Sequence, residues 1–157
     1  MNLSDPKEMD KYFMRQAIGE AEKAFVADEV PVGVVITRQN KIIARAHNQV
    51  ELRKDPTAHA EMIALTQAAE AVGDWRLEEA TLAVTLEPCA MCAGAILLAR
   101  VERVVWGAAD PTAGACGSVV NLSAEARLPR QVETAGGVLA DECGRLLKEF
   151  FRKLRSG

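Results

Sequence analysis

Apolar residues first recur at helical spacing. Met9, Phe13, Ala17, Ala21, Ala24 and Phe25 fall on one side of a 3.6-residue period, which predicts a helix laying one stripe on a core. Its start is marked by Asp5-Pro6-Lys7-Glu8, with Asp5 as N-cap, Pro6 at the first helical position and Glu8 three residues past the cap. It ends before Pro31. Residues 32–37 and 41–46 are then short β-rich runs around Arg38-Gln39-Asn40, a pattern that predicts a hairpin with a compact turn. A second helix is expected over 57–71, ending at Gly73. A buried strand follows over 80–86, and beyond Pro88 a helix over 89–100. Residues 103–106 read as a strand, 108–130 as irregular, 132–139 as the source of a last strand, and 140–154 as a closing amphipathic helix.

A helix and a hairpin followed by alternating helices and strands predict a layered α/β fold, a mixed five-stranded sheet with helices on both faces. The 157 residues are 49% hydrophobic and 26% charged, a globular balance with no repeat, linker or low-complexity tract, so 1–157 reads as a single domain. No apolar run approaches the roughly 18 to 20 residues of a membrane span. The chain opens on polar Asn2, Ser4, Asp5 and Lys7 rather than a signal-peptide pattern, so the expectation is a cytoplasmic protein. In a reducing compartment the Cys89/Cys92 pair points to metal or redox chemistry before a disulfide framework. Cys116 and Cys143, with no partner at ligand spacing, read as packing residues.

Two segments carry chemistry: His59-Ala60-Glu61 and Pro88-Cys89-Ala90-Met91-Cys92. Catalytic zinc usually takes three protein ligands and leaves a fourth position for water, whereas structural zinc is closed by four. His59, Cys89 and Cys92 supply three; His47, the only other histidine, lies outside any such motif. Both motifs fall at predicted helix starts, where the dipole favours thiolates. Glu61 is more than half a helical turn round from His59, so it belongs beside the water rather than on the metal, as acid and base. The order H-x-E then P-C-x-x-C is the signature of zinc nucleobase deaminases.

Beyond these motifs the chain resembles the bacterial tRNA-specific adenosine deaminases, the TadA family within the cytidine deaminase-like superfamily, over nearly its whole length. The resemblance rests on Glu29-Val30-Pro31-Val32-Gly33, Asn48, Asp55-Pro56-Thr57-Ala58-His59-Ala60-Glu61, Thr85-Leu86-Glu87-Pro88-Cys89 and Met91-Cys92-Ala93-Gly94-Ala95. Gly107-Ala108 with Asp110, Gly114-Ala115, Gly117-Ser118, Leu139-Ala140-Asp141-Glu142-Cys143 and Phe150-Phe151-Arg152 extend it. It implies a three-layer α/β/α fold and one zinc ion per subunit. It implies hydrolysis of the wobble adenosine of a tRNA anticodon to inosine, by a homodimer that holds the anticodon stem-loop. It further implies that Asn48 hydrogen-bonds the flipped-out base, Val30 packs against it, Glu87 and Pro88 line the pocket, and Asp110 contacts a neighbouring ribose. A turn role for Asn48 and Asp110 and a core role for Val30 stand as alternatives.

Where the family usually carries an Asn-His pair this chain has Pro129 and Arg130, leaving Arg127 and Arg130 for phosphate contacts. The formal net charge of -3 matches a polyanion poorly, so nucleic acid must meet a local patch. Lys148, Arg152, Lys153 and Arg155 offer one, or are ordinary solvated positions complementing the helix dipole. Two rival functions remain. A free-base or nucleoside deaminase uses the same zinc chemistry without a basic surface, and an inactive zinc-stabilised RNA-binding subunit would lack the carboxylate that Glu61 supplies.

Overall fold

In the computed structural model, which describes residues 4–157, the Asp5 carboxylate accepts the Lys7 N–H at 3.0 Å and opens α1 (Pro6–Val26). That bond satisfies one orphan donor of the first turn, and Pro6 has no donor to satisfy. Asn2 lies outside the described residues. Phe13, Ala17, Ala21 and Ala24 are buried as the stripe predicts; Met14 joins them, while Phe25 stays half-buried.

β1 (Gly33–Arg38) and β2 (Lys41–His47) pair antiparallel with Arg38 opposite Lys41. The turn is therefore two residues, Gln39 and Asn40, whose φ angles of 53° and 61° suit the twist of a tight hairpin. Next comes α2 (Val50–Arg53), one turn that no periodicity announces. α3 (Ala60–Val72) starts later than position 57, because the Asp55 carboxylate takes both the N–H and the hydroxyl of Thr57, each at 2.8 Å, and holds that stretch in a turn. His59 is left extended as the N-cap (φ -72°, ψ 151°).

β3 (Ala80–Leu86) has its predicted span. α4 (Ala90–Leu98) ends short of Arg100, which takes a φ of 62°, and β4 (Arg103–Ala108) runs on past Trp106. β5 (Glu133–Ala135) is much shorter than 132–139, since Gly137 at φ 80° turns the chain off the sheet. α5 (Ala140–Ser156) closes the fold.

The strands lie in the order β2-β1-β3-β4-β5, antiparallel across β2, β1 and β3 and parallel across β3, β4 and β5. Alternation decides which helix meets which side chain. Val34, Ile36, Leu82, Val84 and Val104 pack with Ile63, Ala64, Ala68, Ile96 and Leu97 of α3 and α4. Val35, Ala83 and Val105 face Phe13, Met14 and Ala17 of α1 and Cys143 of α5. The expected three-layer mixed sheet is thus present, and Cys143 packs in its core. Among the described residues no helix is long and apolar enough to cross a membrane.

α1 approaches β1 backbone to backbone. A Cβ on Gly33 would lie 2.0 Å from the Ala17 carbonyl oxygen and 2.4 Å from the Ala21 nitrogen. Neither atom belongs to a side chain that can swing away. Gly33→Ala is therefore expected to destabilise the fold by about 1–3 kcal/mol through displacement of α1. Urea denaturation checks it: an unchanged midpoint would mean that the helix slides at no cost.

Candidate active site

Two helix starts meet at the carboxyl end of β3. His59 caps α3, Cys89 caps α4, and Cys92 follows within the first turn of α4. His59 Nδ1 lies 3.7 Å from Cys89 Sγ and 3.6 Å from Cys92 Sγ, and the three ligand atoms lie within 4.8 Å of one another. Tetrahedral zinc with ordinary Zn–S and Zn–N lengths would separate nitrogen from sulfur by about 3.6 Å. The three donors present therefore fit that ion. The hydrogen bond from the Cys92 thiol brings the Cys89 thiol down to about 5, with smaller help from the N–H groups of Cys92 and Met91 and from His59. Giving that bond, and being fully buried, raises Cys92.

Glu61 sits one residue into α3, outside the donor cluster yet bordering the same cleft as His59 and Cys89. Its side chain is 4% exposed, and burial pushes its carboxyl up to about 7 against the opposing pull of His59 and Cys92. A proton affinity near neutral lets one group both take and return a proton.

The cleft holds about 870 Å³. Val30 and Asn48 both line it. Asn48 is 8% exposed; its N–H donates to the Val32 carbonyl at 3.1 Å, but among the described residues its side-chain amide has no hydrogen-bond partner. That amide opens on the cleft with its donors and acceptor free, which suits it to a ligand.

Glu87 and Asp110 border the cleft too; the Glu87 carboxylate is fully engaged, and so is one oxygen of Asp110. Glu87 accepts the N–H groups of Asp110 at 3.1 Å and of Cys116 and Ser118 at 3.0 Å each, and the Ser118 hydroxyl. Burial alone would raise its carboxyl, but these bonds outweigh it and hold the group below its ordinary value. Gly114 makes room, since a Cβ there would lie 2.4 Å from the Glu87 carboxyl carbon. Asp110 turns its own loop by accepting from the Thr112 N–H at 3.0 Å and hydroxyl at 2.9 Å and from the Ala113 N–H at 3.2 Å. Pro88, expected to line the pocket, is not among the residues bordering the cleft; its carbonyl is turned to the Ala115 N–H at 2.8 Å.

The basic residues divide. On α5, Lys148, Arg152 and Arg155 are exposed and, among the described residues, unpaired, whereas Lys153 is engaged by Asp28 at 3.4 Å and lies 5.2 Å over the Phe25 ring. Arg127 is exposed and pairs with Glu125. Arg130 is not brought to the cleft at all; with Trp75, Leu98, Leu128 and Pro129 it borders an apolar groove beside α3 and α4. Phe150, Phe151 and Glu29 line the cleft without having been singled out as site residues. The two phenylalanines lie on an amphipathic helix, where such residues read as core, and nothing in local spacing ties Glu29 to the segment it touches.

Residues 8–155 match the MafB19-like deaminase family. The tRNA-specific adenosine deaminase of Bacillus subtilis (strain 168) is 53% identical over 146 residues, covering 93% of this chain and 91% of that one. A solved structure from work on A-to-I editing by tRNA:A34 deaminases at the wobble position of transfer RNA superposes with a TM-score of 0.84. It is 40% identical and covers 87% of this chain and 99% of its own. The guanine deaminase of Nitrosomonas europaea, at 23% identity, a TM-score of 0.76 and coverage of 89% and 83%, shares the fold alone. By sequence and by its cytidine deaminase-like fold, the chain belongs to the MafB19-like deaminases and, among them, to the tRNA-specific adenosine deaminase family.

Proposed function

We propose that this chain hydrolyses the wobble adenosine of a tRNA anticodon to inosine and ammonia, as one deaminase domain with one zinc ion held by His59, Cys89 and Cys92. The observation that carries the reading is the three-donor cluster with buried Glu61 beside it at the floor of an open cleft. Those three donors would hold the ion, which would supply the acidity that makes a water nucleophilic near neutral pH.

The protein's part follows from the side chains. Glu61 takes one proton as water adds to C6 of adenine and passes it to ring N1. It then takes the second proton from the oxygen now on C6 and gives it to the amine, which leaves as ammonia as that oxygen becomes the carbonyl of inosine. The free amide of Asn48 orients the flipped base, and Val30 packs against its face. Glu87 acts one step back: by gathering the N–H groups of Asp110, Cys116 and Ser118 it fixes the loop that presents Asp110 to the cleft.

The breadth of the cleft and the exposed Lys148, Arg152 and Arg155 on the helix that walls it favour an anticodon stem-loop over a free base, which needs no basic rim. Glu61, present and seated, disfavours the inactive-subunit alternative. A homodimer is supported by the groove beside α3 and α4, where Leu98 is 77% and Trp75 53% exposed, an apolar patch that a second copy would cover. A cytoplasmic place of action belongs to the same reading, since tRNA is met there.

Incubating the protein with an adenosine-containing anticodon stem-loop, and separately with guanine, cytosine and cytidine, tests the substrate. Inosine in the RNA is expected; turnover of a free base with none in the RNA would sink the reading. Glu61→Ala is expected to keep zinc and lower the rate by about 10²–10⁴-fold, the usual worth of a general acid–base group. Cys89→Ala and Cys92→Ala are expected to lose zinc and melt earlier, because metal binding is coupled to folding. Metal analysis beside the assay separates the two kinds of loss, and near-normal deamination by the Glu61 variant would contradict its role.

A further inference from the structure

α2 is one turn long and has no cap of its own. Gln49 at its N-cap makes no capping bond and instead accepts the Arg53 Nε–H at 2.8 Å. A helix start nevertheless leaves its first N–H groups in need of acceptors. They find them across the fold. One oxygen of Glu29 accepts the Glu51 N–H at 2.9 Å and the other accepts the Leu52 N–H at 2.7 Å, with the side chain 1% exposed. Glu29 is itself fixed, its N–H donating to the Ala24 carbonyl at 2.9 Å as α1 ends.

We propose that Glu29 is a positioning residue for the deamination, capping α2 from outside and so setting Asn48 in the cleft; this rests on the tRNA adenosine deaminase reading above. The path between them is short. Asn48 precedes the N-cap of α2, and its N–H is tied to the Val32 carbonyl at 3.1 Å. The Gln49 N–H donates to the Ala58 carbonyl at 3.0 Å, next to His59. The segment from the base-orienting amide to the metal-binding imidazole is thus tied near its ends by Val32 and Ala58 and within by Glu29. A carboxylate suits this place because its two oxygens meet two N–H groups in charge-assisted bonds. Glutamine would offer one oxygen and turn its NH₂ against the second N–H.

The test is a double-mutant cycle on the zinc-loaded protein, with deamination of the anticodon stem-loop measured for wild type, Glu29→Gln, Asn48→Ala and the pair. Zinc content and amide hydrogen exchange are read on the same samples. Glu29→Gln is expected to keep one zinc per chain, to speed exchange at Glu51 and Leu52, and to lower kcat/KM about tenfold, as loss of a charge-assisted hydrogen bond would. In the Asn48→Ala background the same substitution is expected to change kcat/KM by less than about twofold, because its effect passes through Asn48. Equal losses in both backgrounds, or wild-type activity in Glu29→Gln, overturn the proposal and leave the deaminase reading standing. A wild-type protein that makes no inosine overturns that reading and this proposal together. Should Glu29→Gln fail to fold, Glu29→Asp, which keeps the charge but shortens the reach, goes through the same cycle. Unprotected Glu51 and Leu52 amides in wild type would overturn the capping outright.

Discussion

Everything chemical in this protein depends on two helices beginning at the same point. His59 is the N-cap of α3 and Cys89 that of α4, and their convergence sets imidazole nitrogen 3.6–3.7 Å from two sulfurs. The sheet makes the convergence possible. α3 and α4 lie on one face, anchored by the shared apolar cluster of β1, β3 and β4, and α4 is the crossover between parallel β3 and β4. Because Glu61 follows His59 on the same first turn, placing the histidine places the carboxylate as well.

Three buried carboxylates border the cleft that opens on that point, and their surroundings divide the labour among them. Glu29 receives two backbone N–H groups and Glu87 three with a hydroxyl, so both are committed acceptors holding cleft walls. Glu61 meets the thiols, His59 and an apolar core instead, and burial lifts it to about 7. Donors keep a carboxylate ionised, and desolvation lets it carry a proton. One residue type thus serves as scaffold twice and, in the proposed reaction, as acid–base group once.

What the sequence made legible was whatever is settled locally or by strict periodicity. The Asp5-Pro6 cap, the span of β3 and the α1 stripe of Phe13, Ala17, Ala21 and Ala24 all follow from short-range rules. That His59, Cys89 and Cys92 would meet was legible because each sits at a helix start. Misplaced boundaries came from competition among neighbours: the Asp55–Thr57 turn delays α3, and Gly137 shortens β5. Contacts between distant segments left no mark in spacing. The bonds from Glu29 to Glu51 and Leu52, the loop gathered by Glu87, the seat of Lys153 beside Asp28 and the removal of Arg130 to the groove are all of that kind.

The central claim is a three-donor metal site left open beside an acid–base carboxylate. Zinc K-edge absorption spectroscopy of the purified protein probes it most directly. The account predicts two sulfur ligands and two lighter ones, imidazole nitrogen and an exchangeable oxygen. A third sulfur, a shell closed by four protein ligands, or no bound zinc would contradict it.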